Sequence, residues 1–252
     1  MSNGNQITQT VRNMVGWGRT VIASVDAHHE PVSTALDGQS NLSAAEWDKW
    51  LRGLRNALAH ATDDLLTKAG VLARERGDDI ALREARDQAQ GKAFGEVVRT
   101  RGLLDAIDSS QSRRYGLEGS TPETADDLVI FGNNAIAGLR GADETLEGMG
   151  VSVQTGVLAD ELEPAIAELA SRIEDLRREE KEADAALVAR DRAIAHWRKT
   201  YRSVANMLVG AFEMAGENEL AERVRPTVRR TAGVENPPAA DEPVDNPEPV
   251  EA

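Results

Sequence analysis

Four histidines, His28, His29, His60 and His196, are the strongest neutral metal ligands in this sequence, because it contains no cysteine. A carboxylate-bridged di-metal helical bundle needs Glu-x-x-His on two helices and one further Glu from each of two others. No histidine here has Glu three residues before it, and Asp26-x-x-His29 is the nearest approach. His60 with Asp63 and Asp64 has helical spacing but reads as a solvated face. No metal site and no cofactor is therefore expected. Nucleophilic catalysis fares no better: there is no Gly-x-Ser-x-Gly elbow and no cysteine nucleophile. Phosphate-loop and dinucleotide fingerprints, which need a strand before their glycines, are missing too. No catalytic residue is assigned, and the chain reads as non-enzymatic.

One stretch could hold an anion. Arg113 and Arg114 lead through Gly119 to Ser120 and Thr121, where Thr121-Pro122-Glu123 has the pattern of a helix start. Free N–H groups and the positive dipole end favour an anion there, and two arginines could clamp it. Glu118 and Glu123 flank the position and oppose that use, which leaves an ordinary capped surface loop as the plainer reading.

These residues need elements to position them, and the periodicity supplies helices. Residues 157–215 repeat apolar side chains at alternating three and four spacing, through Leu162, Ile166, Leu169, Ile173, Leu176, Ile194, Trp197, Tyr201, Val204 and Leu208. Such a seam, sustained over about eight heptads, predicts a single coiled-coil-like helix roughly 85–90 Å long. Pro164 is placed in its first turn, and Gly216 is its stop. Glu180 and Arg190 interrupt the seam, so continuity there stays open. Residues 5–27 form a first amphipathic helix, ended by His28-His29-Glu30-Pro31 and followed by loop. Ser43-Ala44-Ala45-Glu46 is a capping box. It opens residues 44–108, which read either as one helix or as a hairpin broken near Gly77, with the phase slip favouring the break. A third seam starts at Thr121 and runs to about Met149.

The fold expected is therefore all-α: an elongated antiparallel helical bundle organised on the long C-terminal helix, without a sheet. Its parts are an N-terminal helix and loop over residues 1–41, a bundle over 42–225, and a tail over 226–252. Residues 231–252 hold six acids, no Lys or Arg and five of the nine prolines. Such a tail cannot bury enough apolar area to offset its ordering entropy and is expected to be disordered. Deleting Glu235–Ala252 should then leave stability unchanged.

A net charge of −14 over 252 residues disfavours nucleic acid as a partner. The start lacks a signal-peptide pattern, no apolar run is long enough to span a bilayer, and a cytoplasmic location is the default. A scaffold or protein–protein interaction module fits best, through self-association or a protein partner. Trp197, Tyr201, Val204 and Leu208 are the candidate interaction surface, because aromatic anchors commonly dominate interfaces. The alternative for those residues is the chain's own core, near Trp47 and Trp50. Two other functions remain: a membrane-surface protein anchored by residues 5–27, and an anion- or small-molecule-binding bundle using Arg113, Arg114, Ser120 and Thr121.

Overall fold

In the computed structural model, the backbone is described for residues 6–148 and 150–238. The expectation of a disordered tail over 226–252 is corrected for its first part: residues 228–232 are helical, and Gly233, Glu235 and Pro237 are held against Asn13, Trp17 and Gly16, so deletion from Glu235 onward removes native contacts. Beyond 238 the expected tail lies outside the described residues. The elements in chain order are α1 (Gln9–Leu36), α2 (Ala44–Ile107), α3 (Gln111–Arg114), α4 (Ala125–Ala142), β1 (Thr145–Gly148), β2 (Val151–Gln154), α5 (Thr155–Met214), α6 (Asn218–Val224) and α7 (Val228–Ala232). Among the described residues the chain is all-α apart from one hairpin. Among the described residues, no helix is long and apolar enough to cross a membrane.

The starts and stops follow local chemistry. At the head of α2 the Ser43 N–H donates to Glu46 Oε2 at 2.9 Å and the Glu46 N–H to Ser43 Oγ at 3.4 Å, the reciprocal capping box. The Ser43 N–H first, then the Ser43 hydroxyl, which donates to Glu46 Oε2 at 2.8 Å, hold the Glu46 carboxyl below its ordinary pKa. At the foot of α5, Gly216 has φ +85°. The Glu217 N–H donates to Phe212 O and the Gly216 N–H to Glu213 O, the paired bonds of a Schellman stop.

Other boundaries differ from the sequence reading. The helix α1 runs through Pro31 to Leu36. Pro31 lies on the exposed face, whereas Val32 and Leu36 are buried, so packing carries the helix past the lost N–H. Pro164 is likewise inside α5 on its exposed face, not in the first turn. Both long helices are continuous: α2 passes Gly77 without a break, and α5 passes Glu180, which faces water, and Arg190. The helix expected from Thr121 starts later, with Thr124 as N-cap accepting from the Asp127 N–H. It also ends early. Residues 145–154 form a two-stranded antiparallel sheet in the register Thr145↔Gln154 to Gly148↔Val151, where no sheet was expected.

Two compact units result, one from Met1–Arg74 with Ala185–Ala252 and the other from Glu75–Asp184. The first therefore joins the N-terminal helix, the start of α2, the end of α5 and the C-terminal helices. Its core includes Met14, Trp17, Val21, Leu51, Leu58, Leu65, Trp197, Tyr201, Leu208, Phe212 and Val224. The second packs α4 and the hairpin on the remaining parts of α2 and α5, around Val97, Leu104, Leu128, Leu139, Leu162, Ile166 and Leu169. In this unit α2 and α5 are antiparallel: Lys92 pairs with Glu168 and Arg99 with Glu161. Among the described side chains, α2 buries none over residues 74–88 and α5 none over 174–185.

Candidate functional site

The four residues expected to form an interaction surface are interior. Trp197, Tyr201 and Leu208 are fully buried and Val204 nearly so. Trp197 and Tyr201 stack at 4.6 Å between ring centroids, 13° from parallel. The Trp197 indole N–H donates to Thr62 Oγ1 at 3.1 Å. Trp47 packs against the same core, while Trp50 is exposed beside it, edge-on at 5.4 Å. The interface assignment is corrected: α1 and α2 cover this seam, and the largest side chains fill the space between them.

The arginine loop is also occupied by its own chain. Arg113 forks onto Glu118 through two bonds of 2.9 and 2.7 Å, which hold the Glu118 carboxyl below its ordinary pKa. Arg114 pairs with Glu144 at 2.9 Å. Ser120 and Thr121 stand ahead of the helix rather than at its N-terminus, since α4 begins at Ala125. The structure does not bring these four residues together as an anion clamp.

The apolar stripe of residues 5–27 is likewise used inside the fold. Val11, Met14, Val15, Trp17, Val21 and Val25 are all buried in the first unit's core, so α1 keeps no free apolar face for a membrane. Of the histidines, His29 contacts Asp48 through Nδ1 at 2.6 Å. Glu75, Glu179 and Glu182 bring carboxylate oxygens within 4.8 Å of one another, a cluster of a kind common on acidic surfaces. An open trough of about 460 Å³ runs between Arg99, Leu103, Val153, Val157 and Glu161. Its two charges are bound to each other at 2.8 Å.

One surface does stand out, and it is on α2 in the second unit. Gly91, Gly95, Val98 and Gly102 follow i, i+4, i+7, i+11 spacing and share one exposed helix face, with Phe94 beside them. Phe94 and Val98 are 39% and 46% exposed. A Cβ built on any of the three glycines meets nothing within 4 Å. Each glycine nevertheless costs an exposed helix about 1 kcal/mol relative to alanine, with no internal contact to account for it. Glu84, Asp87 and Asp105 continue the face at either end, Asp87 paired with Arg86 of the same helix at 2.7 Å. The neighbouring cations Lys92 and Arg99 are drawn towards α5 by Glu168 and Glu161. Sequence reasoning passed over this face because it sought seams of large apolar residues, although the glycine spacing was there to be read.

Compared with protein-family profiles, with curated proteins and with solved structures, the chain matches none.

Proposed function

We propose that the chain is a non-enzymatic protein–protein interaction module whose contact surface is the Phe94–Gly102 face of α2. One observation carries the reading: three mid-helix glycines and two apolar side chains lie open on one face. Glycines on a helix face let a second backbone approach closely, and Phe94 and Val98 supply apolar area at the contact. The acidic ends of the face oppose pairing with a second copy, whose own acids would meet them. They favour a partner helix with a small or apolar centre and basic flanks. The reading takes the module to act in the cytoplasm, in keeping with a cysteine-free chain.

That freedom from cysteine makes the test direct. Gly95→Cys and Gly53→Cys each accept a single spin label, and Gly53 is an equally open position on α2 in the first unit. In extract of the native cell the label at position 95 should lose mobility while that at 53 keeps it. Equal mobility at both positions would remove the reading.

The membrane and anion alternatives have less support, because α1 has its stripe in a core and Arg113 and Arg114 already hold carboxylates.

A further inference from the structure

The segment after α6 packs on α1 in a manner unlike the rest of the first unit. Its apolar core ends at Val224. Beyond that point Val228 and Val234 are 84% and 65% exposed, so the segment adds almost no apolar side chain to the interior. Polar and shape-specific contacts hold it instead. The buried Asn13 amide donates to Gly233 O at 3.1 Å, and the Trp17 indole N–H to Glu235 O at 2.9 Å. The Arg230 guanidinium lies 4.0 Å from the centre of the Trp17 ring and bonds Glu235 at 3.0 Å. Gly16 offers a notch for the Pro237 ring, and Gly233, at φ +72°, comes within 2.9 Å of Met14 when given a Cβ.

Two of those bonds run from α1 side chains to backbone carbonyls, and the glycine notch reads a proline. The residues that follow α7, Gly233 to Pro237, are thus read through their backbone and one ring, as a groove reads a bound peptide. The segment begins where α6 ends, and Arg230 reaches back to the Arg223 and Arg225 carbonyls at 3.2 and 2.9 Å. Arg225 ties α6 to α5 through Glu213 at 2.8 Å, and Pro226 follows immediately. The buried Tyr201 hydroxyl, near Arg230 and Glu235 of the segment, has no hydrogen-bond partner among the described residues.

We propose that the Thr10–Trp17 face of α1 is a peptide-binding groove, and that residues 226–238 occupy it as a releasable intramolecular ligand. Opening breaks a few hydrogen bonds, one cation–π contact and the packing of Gly233 and Pro237 on Met14 and Gly16, while the segment's own valines Val228 and Val234 are already exposed, so it belongs to the local openings of the native state. An opened groove presents the Trp17 indole N–H, the Asn13 amide and the Gly16 notch to any peptide carrying the same carbonyl-and-proline pattern.

The test uses the full chain with a protease site inserted between Arg225 and Pro226. After cleavage under native conditions, the C-terminal fragment should leave on dilution while the helix content outside α7 is kept. The opened protein should then bind a labelled synthetic peptide of residues 226–238 saturably. Uncut protein should bind that peptide at least about tenfold more weakly, since apparent affinity falls with the fraction of open grooves. Gly16→Leu in the cut protein should abolish peptide binding, because a side chain fills the notch. Loss of helix content beyond the five residues of α7 on fragment release would make the segment part of the fold and overturn the proposal. So would a fragment that leaves only in denaturant, or peptide binding indifferent to cleavage and to Gly16→Leu. Should the insertion itself prevent folding, native-state hydrogen exchange on the unaltered chain decides. Amides of 229–235 must exchange faster than those of Leu208 and Phe212, and equal protection would overturn the proposal.

Discussion

Tyr201 carries a buried hydroxyl with no hydrogen-bond partner among the described residues. A buried polar group without a partner costs roughly 1–3 kcal/mol, so Tyr201→Phe should leave stability unchanged or raise it, as urea melts would show. Burial first, with Glu235 adding to it and Arg230 opposing it, pushes this phenol up to about 12. An unfolded tyrosine titrates near about 10. The folded state thus favours the neutral form. Its contribution is complete below about pH 10 and is lost as pH rises through about 12. Alkaline urea melts should lose stability over that window less steeply in Tyr201→Phe than in the parent chain. Trp197→Ala removes a fully buried ring and should cost about 3–5 kcal/mol. Thermal melts check this, and a loss below about 1 kcal/mol, the range of surface substitutions, would contradict the core position. The heptad placed Trp197 and Tyr201 on one seam correctly. It could not say what covers that seam, because the covering residues Met14, Trp17, Leu58 and Thr62 belong to helices far away in sequence.

At the scale of single elements, the glycines sort by what surrounds them. Gly91→Ala, Gly95→Ala and Gly102→Ala should each stabilise α2 by roughly 0.5–1 kcal/mol, because the added methyl enters open space and the unfolded chain loses freedom. Gly132→Ala should do the opposite, since its Cβ would overlap the buried Ile166 side chain; overpacking of this kind costs typically about 1–3 kcal/mol. Four melting curves separate the two classes, and a loss of stability at Gly95→Ala would show that something intramolecular already fills that space. What was legible here is the chemistry that stays local. The Ser43–Glu46 box and the Gly216 stop could be read because their partners lie within a few residues. Pro31 and Pro164 misled because proline breaks a helix only when packing cannot carry the chain past it, and burial is not local information. The hairpin escaped because four-residue strands are too short to establish a period. The strap over α1 escaped because a Pro- and acid-rich composition describes residues 226–252 as a whole, and the anchoring atoms Gly233 O and Glu235 O are backbone.

For the whole molecule, the two cores share no residue, and the stretches of α2 and α5 beside the division bury little. Cooperative units of folding tend to follow such divisions. Hydrogen exchange on Trp197→Ala should therefore show lost protection at Leu58, Leu65 and Leu208, with protection kept at Val97, Leu104, Leu162 and Ile166. Uniform loss across both sets would mean that the chain unfolds as one piece.

Gly233 lies against the carbonyl of Thr10, and this closeness has a topological consequence. In the first unit, residues near 13 and 233 are thus neighbours although 220 positions apart in sequence. Joining residues near 6 and 238 by a short flexible linker and opening the exposed turn at Gly38–Leu42 would give a circular permutant with every helix intact. Permutation is tolerated where ends are adjacent and the new break is exposed. The permutant should reproduce the helix content of the parent. It would also fix the strap at both ends, and so convert a segment that can swing free into one that can only bow outward.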